Sequence, residues 1–151
     1  LGLGCLFGQS LLLRRQLQAM EDGGLVLMSV PDNPYRCPPG PYERASLIAS
    51  YFKEHKPKSK VLVLDANDKI ISKEKLFLSV WEKDYKDIIE YRPKWNVVAL
   101  DAASRTVTSE LGEKVTGDVL NILPQQRARC LRARGVADPR CPQSWSTARR
   151  R

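Results

Sequence analysis

The sequence predicts an α/β fold: a parallel sheet covered by helices, followed by a short antiparallel β meander. Three observations predict it. The runs Leu25–Val30 and Val61–Leu64 are apolar at nearly every position, which suits strands buried on both faces. Stretches of helical spacing precede the first run and come after each of them. Arg105–Thr108 and Lys114–Gly117 are β-branched and alternating, as hairpin strands are. A parallel sheet with right-handed crossovers accommodates the first part of that order.

Ser10 to Glu21 reads as a helix, with Ser10 as its cap, Leu13, Leu17 and Met20 at helical spacing, and Gly23-Gly24 as its stop. The first strand is Leu25–Val30. The segment from 31 to 41 contains Pro31, Pro34, Pro38, Pro39 and Pro41, with Gly40 allowing a sharp turn. Pro41 fits the first turn of a second helix, where its missing N–H is not needed. Ala45, Ile48, Ala49 and Phe52 form that helix's buried stripe, and Pro57 ends it. Val61–Leu64 is the second strand, and Asp65-Ala66-Asn67-Asp68 has turn chemistry. Ser72 caps a third helix whose inner face is Leu76, Phe77, Val80, Trp81 and Ile88. Pro93 breaks the chain after that helix, and Trp95–Leu100 is the third strand. The two hairpin strands come next, and Asp118–Leu123 closes the pattern with another buried run.

The 151 residues are the size of one domain, with 42% hydrophobic and 28% charged residues, so a globular core is within reach. No apolar run approaches the roughly 18 residues of a membrane span. The chain starts at Leu1 and not Met, and is expected to begin inside a longer reading frame; Leu1 to Phe7 make a poor signal peptide. Residues 1–9 are read as a divergent end, 10–124 as the domain, and 125–151 as an arginine-rich tail, disordered or translated out of frame. The tail holds eight arginines against one acid, Asp138, and so carries +7 of the net charge of +8. It has no aromatic interleaving for base stacking, which disfavours a nucleic-acid role. The four cysteines, Cys5, Cys37, Cys130 and Cys141, include no C-x-x-C pair, and the single histidine is His55. Neither a zinc site nor a c-type haem attachment is visible.

Candidate functional residues centre on the proline-rich turn. In a dinucleotide-binding domain the first strand-to-helix turn carries glycines, and backbone N–H groups hold the pyrophosphate. Here Val30 to Tyr42 has no G-x-G-x-x-G, and its five prolines remove five donors. Tight NAD(P) binding is therefore not expected. Asp65 stands where a ribose-binding acid would stand, but is read as a turn residue. Cys37, beside Arg36 and near the helix start, is the candidate redox thiol: the thiolate is the reactive form, and a cation or a helix N-terminus favours it. From spacing alone an ordinary loop cysteine is the better reading. His55 is read as a solvated helix-end residue, and Trp81 and Tyr85 as the core and rim of a helix. Lys53, Lys56, Lys58 and Lys60 are read as a solvated cluster with favourable dipole contact.

The run Pro34-Tyr35-Arg36-Cys37-Pro38-Pro39-Gly40-Pro41-Tyr42-Glu43-Arg44-Ala45 is long and compositionally unusual. With Asp22-Gly23-Gly24, Val61–Ala66, Trp95–Val98 and Asp118–Pro124, it resembles the middle of the flavoprotein subunit of flavocytochrome c sulfide dehydrogenase. The resemblance implies a Rossmann-like central domain of a two-dinucleotide-domain flavoprotein, related to the pyridine nucleotide-disulfide oxidoreductases. It implies that Cys37 is a redox-active cysteine paired with a distant one beside FAD, that sulfide is the substrate, and that electrons pass to a c-type cytochrome subunit in the periplasm. The family's N-terminal FAD-binding half, and the C-terminal region with the second redox cysteine, have no counterpart in this sequence, so the chain alone is expected to be inactive. Cys130 and Cys141 sit in no matching motif. Two other readings stand beside this one: a fragment of a quinone-linked sulfide enzyme or other disulfide oxidoreductase, and a noncatalytic interaction module using the basic tail.

Overall fold

The computed structural model describes residues 3–125. The arginine-rich tail, with Cys130 and Cys141, lies outside the described residues. The elements are α1 (Leu3–Ala19), β1 (Leu25–Val30), α2 (Gly40–His55), β2 (Lys60–Asp65), α3 (Glu74–Asp84), β3 (Ile89–Arg92), β4 (Val97–Asp101), β5 (Thr106–Ser109), β6 (Lys114–Thr116) and β7 (Val119–Asn121). Strands β3-β2-β1-β7 form a four-stranded sheet in which every pairing is parallel. Strands β4-β5-β6 form the antiparallel meander. The fold is α/β and Rossmann-like, as expected.

The alternation of side chains along β1 and β2 explains why both runs are apolar throughout. Val26, Met28, Val30, Val61 and Val63 join one core with Tyr42, Ala45, Ile48, Ala49 and Phe52 of α2 and Phe77 and Trp81 of α3. Leu27, Leu62 and Leu64 join a second core with Trp95 and Val107. One face of the sheet is thus covered by helices and the other by the meander, and neither can be polar. Burying each such side chain contributes about 1.5–3 kcal/mol.

Helix α1 starts earlier than the sequence suggests, running through Ser10 to end at Ala19. Leu17 and Met20 are buried, while Leu11 and Leu12 are exposed. Its C-terminal carbonyls meet the side chain of Lys56, just past the end of α2. The Lys56 ammonium donates to the carbonyl oxygens of Leu17 at 2.7 Å and Gln18 at 2.9 Å, and also to that of Met20. Lys56 is therefore a cap for another helix and not a member of a solvated cluster.

Several expectations are corrected. Ser72 does not cap α3, which begins after Lys73 with no side-chain cap bond. Leu76 is exposed, because the inner face of α3 narrows to Phe77 and Trp81. Ile88 is buried but lies beyond the end of the helix. The third parallel strand is β3, whose Val61–Ile89 and Val63–Tyr91 pairings extend the sheet. The strand expected at Trp95–Leu100 is β4, which pairs with β5 in the meander.

Candidate functional site

The strand order places a topological switch point at the C-terminal ends of β1 and β7. The connection from β1 leads to β2 on one side, while β7 returns on the other. Ligands of open α/β sheets bind in such crevices. A cleft of about 80 Å³ lies there, lined by Ser29, Pro31, Asn96, Ile122 and Leu123 among others. Ser29 bridges the two strands, accepting the Leu123 N–H at 2.8 Å. A wider cleft of about 330 Å³ lies between the exits of β1 and β2, against Asp32, Asn33, Asn67, Asp68 and Lys69.

The loop joining β1 to α2 lines these clefts only with its first residues, Pro31 to Asn33, and Cys37 lies further along it, outside the lining of both. Cys37 is exposed, and among the described residues it is a free cysteine. Its φ of 61° is left-handed, a conformation that strains a residue with a side chain. Its carbonyl accepts the Gly40 N–H at 2.9 Å. That turn lays the sulfur against the start of α2: a Cβ on Gly40 would stand 3.3 Å from Cys37 Sγ. Pro41 occupies the first turn of α2, as expected. Arg36 is exposed beside it.

This loop does not fit the pyrophosphate of FAD or of a nicotinamide dinucleotide. Prolines occupy four of its positions, 31, 34, 38 and 39, with Pro41 following in α2, and the Gly40 N–H is taken by the Cys37 carbonyl and the Glu43 N–H by the Pro39 carbonyl. The glycine-rich run whose amides cradle a pyrophosphate is not present in it.

Asp65 is more than a turn residue. It is fully buried, and its carboxyl group accepts four hydrogen bonds. The Asn67 N–H at 2.9 Å and Asn67 Nδ2 at 2.8 Å donate to Oδ1. The Tyr42 hydroxyl at 2.7 Å and the Tyr91 hydroxyl at 2.9 Å donate to Oδ2. Both phenols are pushed far above the usual tyrosine range, first by burial and then by neighbours that include Asp65. Tyr35 is also raised, by burial foremost. The Asp-Ala-Asn turn was legible in the sequence, but the tyrosines that bury the acid were not. Tyr91 had a signal in the alternation of Ile89-Glu90-Tyr91-Arg92.

The other candidates have ordinary settings. His55 is exposed and stacks on Tyr51 at 4.6 Å. Trp81 is buried and donates its indole N–H to Ser46 Oγ at 2.9 Å. Tyr85 is half-buried under Lys53, 5.7 Å from the ring centre. Among the described residues no group of three His, Cys, Asp or Glu side chains is placed to hold a metal, and no helix is long and apolar enough to cross a membrane.

A parallel four-stranded sheet with helices on one face and an antiparallel meander on the other defines a Rossmann-like α/β domain whose first turn carries a cysteine in place of a glycine-rich loop. The match to known families is narrower. Residues 10–124 match the model described as "Sulfide dehydrogenase [flavocytochrome c] flavoprotein chain, central", and the chain belongs to that family. Among solved structures, it is similar to reduced CoADR-RHD of Bacillus anthracis at 11% identity and a TM-score of 0.45. That match covers 66% of this chain, which spans only 16% of the other. At that degree of likeness nothing about this chain follows from it.

Proposed function

We propose that this chain is the central domain of an FAD-dependent sulfide dehydrogenase, with Cys37 as a redox thiol. The observation that carries the reading is the family match over residues 10–124, within which Cys37 lies exposed on the switch-point loop. In the oxidised protein Cys37 is disulfide-bonded to a distant cysteine. Sulfide attacks one sulfur of that disulfide, a persulfide forms on it, and the partner leaves as a thiolate. FAD is held by parts of the protein other than this loop. Bound there, FAD would supply the acceptor for the electron pair released at the disulfide; a c-type cytochrome subunit as the onward acceptor and the periplasm as the compartment are what the family reading gives.

The test is Cys37→Ser in the flavin-loaded protein with its cytochrome partner. The expected result is loss of sulfide-dependent cytochrome reduction with flavin content unchanged. Retention of the wild-type rate would overturn the assignment. The same reading gives Asp65 no ribose to bind, because both its oxygens are already occupied. A stoichiometric, micromolar NADH titration of this chain would contradict it.

A further inference from the structure

The loop that carries Cys37 is short of backbone donors, because prolines occupy four of its positions, 31, 34, 38 and 39. Side chains supply the ties instead. At the start of the loop, Asn67 reaches across from the exit of β2. Its Nδ2 donates to the Pro31 carbonyl at 3.0 Å, and its Oδ1 accepts the Asn33 N–H at 3.1 Å. Asn67 is itself fixed by two donations to Asp65. At the far end, Tyr42 in the first turn of α2 is anchored on the same carboxyl group. Within the loop, the Tyr35 hydroxyl donates to the Pro38 carbonyl at 3.1 Å. Asp65, Tyr42, Asn67 and Tyr35 are all buried, while Cys37 between the two anchored ends is exposed.

A purely architectural role is already served by Asp65 with Tyr42 and Tyr91, which joins β2, α2 and β3. Asn67 adds the two bonds that reach the loop. We propose that Asn67, held in place by Asp65, is a positioning residue for Cys37: it fixes the loop so that the cysteine keeps its left-handed backbone and its sulfur lies against Gly40. The proposal rests on the reading of Cys37 as the redox thiol, for which a fixed sulfur matters.

The test uses the full chain carrying Cys5→Ser, Cys130→Ser and Cys141→Ser, so that Cys37 is its single thiol. Two quantities are read: the rate of alkylation by iodoacetamide, and the equilibrium constant for the mixed disulfide with glutathione. Asn67→Ala removes both ties to the loop and is expected to raise each quantity by at least about fivefold, the worth of one net hydrogen bond, and by more where the two losses add. Tyr91→Phe removes a bond to the same carboxyl group without touching the loop, and is expected to leave both near the parent values. If Asn67→Ala changes neither, or if Tyr91→Phe moves them equally, the proposal is overturned. Asn67→Ser is one atom shorter and keeps a hydroxyl for Asp65 while losing its reach to the loop. It is read in the same way if the alanine variant does not fold. These thiol readouts do not depend on sulfide oxidation. A Cys37 that responds to Asn67→Ala but proves dispensable for cytochrome reduction sinks the redox assignment and keeps the positioning role.

Discussion

Replacing Asp65 with alanine should be among the most damaging single changes in this domain. The substitution removes one acceptor group from four donors at 2.7 to 2.9 Å. The donors do not suffer equally. Asn67 Nδ2 keeps the Pro31 carbonyl, and Tyr91 is only partly buried. Tyr42 is fully buried, and its hydroxyl and the Asn67 N–H lose their acceptor outright. Each buried donor left without a partner costs about 1–3 kcal/mol, and each weaker loss about 1 kcal/mol. Relief from desolvating a carboxyl group offsets part of that sum. The net destabilisation is about 3–5 kcal/mol, set against a total of about 5–15 kcal/mol for an ordinary domain. Urea unfolding followed by tryptophan fluorescence measures it, since the Trp81 ring lies 6.3 Å from the Tyr42 ring and 6.0 Å from the Tyr91 ring. The companion variants Tyr42→Phe and Tyr91→Phe should each cost about 1.5–3 kcal/mol in the wild type and far less in Asp65→Ala. If Asp65→Ala unfolds within about 1 kcal/mol of wild type, or if the tyrosine losses simply add to it, the carboxyl group does not tie the three elements together.

The geometry sets three further outcomes. Lys56→Met leaves the last carbonyls of α1 without their ammonium and should destabilise the chain by about 1–2 kcal/mol; faster amide exchange confined to α1 would locate the loss, and unchanged exchange there would refute it. Gly117→Ala would put a Cβ 2.6 Å from Leu27 Cγ and 3.1 Å from the Leu25 carbonyl oxygen, and should cost about 1–3 kcal/mol by the same urea measurement. Tyr42 and Tyr91 hold their protons more tightly folded than unfolded, so their contribution is complete below about pH 10 and is lost as pH rises beyond it. Urea midpoints should fall through that range, less steeply in Tyr91→Phe; reversible phenolate absorbance near pH 10 with no fall in midpoint would contradict the assignment.

The parts of the fold legible in the sequence were those decided by residues close together in the chain. Strands β1 and β2 are apolar throughout because both faces are covered, and that pattern needs no knowledge of neighbours. The buried stripe of α2 shows at its own spacing. By contrast, β3 has only four residues, one polar face and a proline just after it, and parallel pairing with β2 is what makes it a strand. Trp95–Leu100 is as apolar as a parallel strand, yet pairs in the meander, since a run's neighbours are fixed by topology and not by composition. Leu76 shows the converse: an apolar residue on a helix that the fold leaves in solvent. Cys37 stood out by its surroundings in sequence. The depth of Asp65 did not, because its phenol partners lie 23 and 26 positions away on two other elements.

The two departures of this domain from a dinucleotide-binding pattern are one change seen from two sides. A glycine-rich turn is held by its ligand as well as by its own amides; a turn with prolines at 31, 34, 38 and 39 has fewer amides to use. Such a loop stays ordered only if buried side chains hold it from beneath. The acid at the end of β2 is the nearest group able to organise them, and drawing it inward onto Tyr42, Tyr91 and Asn67 removes it from the surface where a ribose would meet it. Restoring glycines to the loop would therefore not restore a dinucleotide site, because Asp65 would still be committed to the core. Freeing Asp65 would in turn release the loop that presents Cys37.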